Sequence, residues 1–133
     1  MDQPVTPPKT PYEIAGGGEV IEAIVARFYE LMASEPAYAE LRAIHAEDLA
    51  PVQQGLTQFL KAWMGGPKDW FAQGKCVMSL HRGFPISGAI GGQWAEAMQR
   101  AIADQKGMNA ELAQALSERL SQMARAMVNQ QQG

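Results

Sequence analysis

Residues 19 to 36 read EVIEAIVARFYELMASEP, and the placing of their apolar side chains decides the fold. Ile21, Ile24, Val25, Phe28, Leu31 and Met32 recur at helical spacing, so the stretch forms a helix with one broad buried face. Tyr29 follows Val25 by one helical turn and precedes Met32 by three residues, which turns its ring to the same side. Pro36 stops the helix, and the flexible run Gly16 to Gly18 leads into it.

The same period recurs along the chain. A short segment spans Ala39 to Ile44, and Glu47, Asp48 and Leu49 open a second strong helix. Its apolar set is Leu49, Val52, Leu56, Phe59, Leu60, Trp63 and Met64, with Gln53, Gln54, Thr57, Gln58 and Lys61 on the other side. Gly65, Gly66 and Pro67 end it. Residues 68 to 76 read as a loop and VMSLH as a brief apolar turn. Ser87 starts the next helix, where Gly88, Gly91 and Gly92 imply close backbone packing ahead of Trp94, Ala97, Met98, Ala101 and Ile102. A last helix from about Asn109 carries Leu112, Leu116, Leu120, Met123 and Met127. No stretch alternates apolar and polar residues as a strand does, and the chain is predicted to be all-α.

Composition removes several function classes. A chain of 133 residues is one domain, here residues 12–129 between a flexible N-terminal tail (1–11) and a short C-terminal one (130–133). With 11 Lys and Arg against 14 Asp and Glu the net charge is −3 and no basic block occurs, which argues against nucleic acid. No run approaches the roughly 20 apolar residues of a membrane span. The start, MDQPVTPPKTP, is a proline-stiffened tail rather than a signal peptide. The single Cys76 forms no internal disulfide and no C-x-x-C-H haem attachment; it reads as a small packing residue, and a cytoplasmic location is expected. H-E-x-x-H, a phosphate loop and a nucleophile elbow are all missing, so hydrolytic, nucleotide and non-haem metal chemistry lack a motif.

The remaining chemistry lies in LHRGFPIS, residues 80–87. Phe84 precedes Pro85, so a helix carrying His81 ends within about a turn of it. There an imidazole can cap the turn, fill a core gap or hold a metal through a ring nitrogen. His45, in IHAED, reads by default as a helix-entry or surface residue.

Taken in order, RFYELM, LRAIH, QFLKAWMGGP, H-x-x-FPI and QWAEAM resemble the truncated haemoglobins, specifically the second group of that family, over roughly Tyr12 to Val128. Trp94 follows His81 by 94 − 81 = 13 residues, the spacing seen in the family. The resemblance implies a two-over-two helical sandwich enclosing haem b, with His81 as the proximal iron ligand and Phe84 and Ile86 as apolar wall. Phe28, Val52, Leu56, Phe59, Leu60, Val77, Met78 and Leu80 are candidate lining, and Lys75 and Arg82 are candidate partners of the propionates. Family members commonly carry an arginine before the proximal histidine and a longer loop with tyrosine and His-Pro. Here the stretch is KDWFAQGKCVMSLH, with Trp70 in place of the tyrosine.

On the distal side the resemblance maps onto Tyr29, His45 and Trp94, whose O–H and N–H groups suit a polarised ligand such as dioxygen. The function so implied is binding of dioxygen and other small diatomic molecules by a monomer or homodimer. Nitric oxide dioxygenase or peroxidase-like activity at the same pocket would call for a separate reductase, since no flavin or nicotinamide motif is present. The contrasting expectation is a haem-free helical interaction module that presents Met123 and Met127.

Overall fold

A computed structural model describes residues 10–45, 47–67 and 86–128. Helix α1 spans Pro11–Ala15, opened by a proline in its first turn and capped by the Thr10 hydroxyl, which accepts the Glu13 amide at 3.2 Å. Five residues carry no readable period, so this helix was not evident from the sequence. Gly16 then turns left-handed (φ 113°), and a side chain there would strain the backbone and strike Val20 Cγ2 at 2.7 Å. Helix α2, Gly18–Ser34, follows and buries Ile21, Ile24, Val25, Phe28, Tyr29, Leu31 and Met32.

Glu35 is extended ahead of Pro36, and a single tight turn, Pro36–Tyr38, leads into the short α3, Ala39–Ala43. Helix α4 spans Ala50–Trp63. Its start falls after Glu47, Asp48 and Leu49, which were expected to open it. Pro51 suits the first turn because it brings no amide to satisfy, and the Asp48 carboxylate holds the preceding turn by accepting the Ala50 N–H at 3.0 Å. Ser87 caps α5, Gly88–Ala103, accepting the Ile90 N–H at 3.2 Å. Asn109 caps α6, Ala110–Ala126, accepting the Leu112 N–H at 2.9 Å. No strand occurs among the described residues.

Helix α2 is central: α4 packs on one part of it and α5 on another, while α5 also pairs with α6. That arrangement explains why consecutive residues Phe28 and Tyr29 are both buried, since partners cover α2 on more than one side. The expected close approach at the α5 glycines holds at Gly91, where a Cβ would meet Val128 Cγ2 at 2.9 Å and the Ala124 carbonyl at 3.4 Å. It does not hold at Gly92, which faces open space. Met127 is buried in the core and Met123 packs against it, so the pair does not form the exposed adaptable surface an interaction module would use. No helix among the described residues is long and apolar enough to cross a membrane.

Candidate functional site

Phe28, fully buried, organises an aromatic cluster. Tyr29 meets its ring edge-on with centroids 4.9 Å apart, and Trp94 of α5 does so at 5.4 Å. The His45 ring stands edge-on to Tyr29 at 6.2 Å. Three elements thus bring Tyr29, His45 and Trp94 together, the trio expected on the distal side.

Their polar atoms are arranged unequally. Tyr29 is buried, and its hydroxyl makes no hydrogen bond among the described residues. Burial pushes the phenol well above its ordinary ionisation range, so it remains an O–H donor at any physiological pH. The half-buried Trp94 likewise has no partner for its indole N–H among the described residues. His45 Nδ1 lies 2.8 Å from the Leu41 carbonyl oxygen. A carbonyl only accepts, so Nδ1 carries the proton there.

Helix α4 supplies the apolar side. Phe59 and Leu60 are buried and Leu56 is half-buried, with Phe59 stacked on Trp63 at 6.2 Å. Val52, read as part of the buried stripe, is instead 37% exposed. The buried residues of α4, Phe59, Leu60 and Ala62, all lie in its second half, so the packing does not reach the turn that carries Val52. Ile86 is buried in the core. His81, Lys75, Met78, Leu80, Arg82 and Phe84, together with Trp70, Cys76 and Val77, lie outside the described residues.

One group of residues near this cluster was not read from the sequence. Gln93, beside Trp94, accepts the Leu41 N–H through Oε1 at 3.1 Å. One turn further along, Glu96 accepts from the hydroxyl of the fully buried Tyr38 at 3.1 Å, and Arg100 donates to that same hydroxyl at 3.1 Å. Gln93, Glu96 and Arg100 form one polar stripe on α5, which a sequence cannot tell from a solvated face.

The helix order and the buried aromatic cluster define a small globin-type fold. The bacterial-like globin family matches residues 10–129, and the chain belongs to that family. It is 35% identical over 122 residues to the group 2 truncated hemoglobin YjbI of Bacillus subtilis (strain 168), covering 90% of this chain and 89% of the relative. Among solved structures it is similar to the group II 2-on-2 hemoglobin from the plant pathogen Agrobacterium tumefaciens, with a TM-score of 0.89 and 30% identity over 96% of this chain and 98% of that one. It is also similar to the cold-adapted truncated hemoglobin from the Antarctic marine bacterium Pseudoalteromonas haloplanktis TAC125, with a TM-score of 0.86 and 32% identity over 92% and 99% of the two chains. The expected two-over-two architecture and the resemblance to the second group are borne out.

Proposed function

We infer that the chain holds haem b, with His81 as the proximal ligand, and binds dioxygen and other small diatomic molecules on the side guarded by Tyr29, His45 and Trp94. The observation that carries this reading is the pair of donors with no partner among the described residues, the Tyr29 hydroxyl and the Trp94 indole, both set against Phe28. Neither donor is used within the fold among the described residues, and neither is sealed from solvent, so both are open to a ligand. They fit a ligand that accepts hydrogen bonds. The apolar run Val52, Leu56 and Phe59 on α4 fits the face of a porphyrin, and Lys75 and Arg82 are the cations proposed for its propionates.

Bound, the haem would supply a ferrous iron able to take a diatomic ligand, and His81 would hold it to the chain. The chain's own residues then select among ligands. Tyr29 and Trp94 donate to a ligand atom that gathers negative charge, which favours dioxygen over less polarised molecules. Each neutral hydrogen bond contributes about 0.5–1.5 kcal/mol net, so two slow ligand escape by roughly one to two decades. Nitric oxide dioxygenation or peroxide reduction at this site draws electrons from a separate reductase in the cytoplasm, which turnover assays with added reductase measure. Purified protein supplied with haem is expected to show an intense Soret band and a stable ferrous dioxygen spectrum, with weaker haem retention in His81→Ala. A colourless protein after haem supplementation overturns the reading.

A further inference from the structure

We propose that Gln93 is a positioning residue for His45: it caps α3 from the neighbouring helix and so fixes the histidine ring as its Nδ1–H tautomer. The inference rests on the distal role given to His45 above.

Helix α3 begins without a side-chain cap of its own, because Tyr38 occupies the capping position and makes no such bond. The first amides of any helix lack partners within it, and Leu41 lies in that first turn, 1% exposed and out of reach of water. Gln93 Oε1 takes the Leu41 N–H at 3.1 Å from α5. The carbonyl of the same Leu41 accepts from His45 Nδ1 at 2.8 Å. Both polar groups of one buried residue are therefore committed, one to the helix that carries Trp94 and the other to His45.

The rest of the stripe holds the same register. Tyr38, just ahead of α3, is tied to Glu96 and Arg100, each at 3.1 Å, and Arg100 reaches Glu35 at 3.4 Å. Gln93 is the member of the stripe whose bond leads to the histidine. In a neutral ring whose proton is on Nδ1, Nε2 is an acceptor, and Tyr29 and Trp94 are then the donors on the distal side. A second effect follows from geometry: α3 cannot shift along α5 without moving His45 relative to Trp94.

The test reads the imidazole directly. The chain has 2 histidines, so a long-range nitrogen–proton spectrum of the ferrous carbonyl protein contains His45 and His81 alone, and His45→Phe assigns them. The wild type is expected to show His45 with the proton on Nδ1 and a protected Leu41 amide. In Gln93→Met, which keeps side-chain length but removes the acceptor, His45 is expected to become a tautomer mixture, and Leu41 amide exchange to quicken at least tenfold while α2 amides hold their rates. Gln93→Glu, which keeps the acceptor, is expected to restore both. Gln93→Met with an unmoved tautomer and Leu41 amide overturns the proposal, as does a wild-type His45 protonated on Nε2, whether or not the variants fold. Both readouts work equally on protein without haem, so failure to take up haem defeats the distal reading and leaves this one to be decided by the same spectra.

Discussion

Tyr29, proposed above as a ligand donor, separates the demands of packing from those of ligand binding. Its ring gains by burial against Phe28, while its hydroxyl makes no hydrogen bond among the described residues. Tyr29→Phe should therefore leave the melting temperature of the haem-free protein unchanged or raised, while speeding dioxygen release roughly three- to tenfold, the equivalent of one neutral hydrogen bond. Stopped-flow release and thermal melts check the two halves; a lower melt would mean the hydroxyl is structurally bonded. The same burial sets a pH dependence. The phenol ionises near 10 in the unfolded chain and higher in the fold, so above that pH the unfolded state binds fewer protons and stability falls as pH rises. Stability is complete below pH 10, and alkaline melts of Tyr29→Phe should decline less steeply. Tyr29 was legible in the sequence because helical period places it, and Trp94 because it belongs to QWAEAM. Gln93 was not legible, since its role depends on which backbone amide faces it across 52 residues of chain.

At the scale of elements, neighbouring glycines of α5 should respond in opposite directions. A Cβ at Gly91 falls 2.9 Å from Val128 and 3.4 Å from the Ala124 carbonyl, and the carbonyl belongs to helix backbone that yields little. Gly91→Ala should destabilise the chain by about 1–3 kcal/mol through overpacking of α5 on α6. Gly92 faces open space within the same helix, so Gly92→Ala should stabilise by about 0.5–1 kcal/mol through lower unfolded-state entropy. Urea unfolding of the two variants measures the sign in each case. Losing a cap is a milder change of the same kind: Asn109→Ala frees the Leu112 amide and should cost α6 about 1 kcal/mol without altering ligand release. Periodicity located α2, α5 and α6 because each presents a long apolar face, and the capping residues Ser87 and Asn109 were visible for the same reason. It failed for α1, where five residues are too few for a period, and for the start of α4, where local bonding by Asp48 and Pro51 outweighed the apolar Leu49. Contact between helices is a property of both partners, and the single run of glycines around Gly91 could not say which of them touches α6.

For the whole molecule, the link between haem and fold is the decisive matter. Apolar side chains of α4 such as Val52 and Leu56 are less covered than those of α2, whereas Phe28, Ile24 and Leu31 are sealed by protein alone. The central helix therefore owes its burial to neighbouring helices, and a folded protein without haem is expected. Any group that binds only the folded state adds RT ln(1 + [L]/Kd), about 2.7 kcal/mol when free haem stands at 100 times its dissociation constant. A domain of 133 residues shifts by roughly 4 °C for each kcal/mol, which places the expected rise in melting temperature near 10 °C under that condition. The rise should follow the logarithm of free haem and be smaller in His81→Ala at the same concentration. Melts across a haem titration, with the Soret band followed in parallel, test both dependences. A melting temperature indifferent to haem while the Soret band grows would mean that haem binds folded and unfolded chain alike, and a pocket built by these helices would then no longer explain the binding.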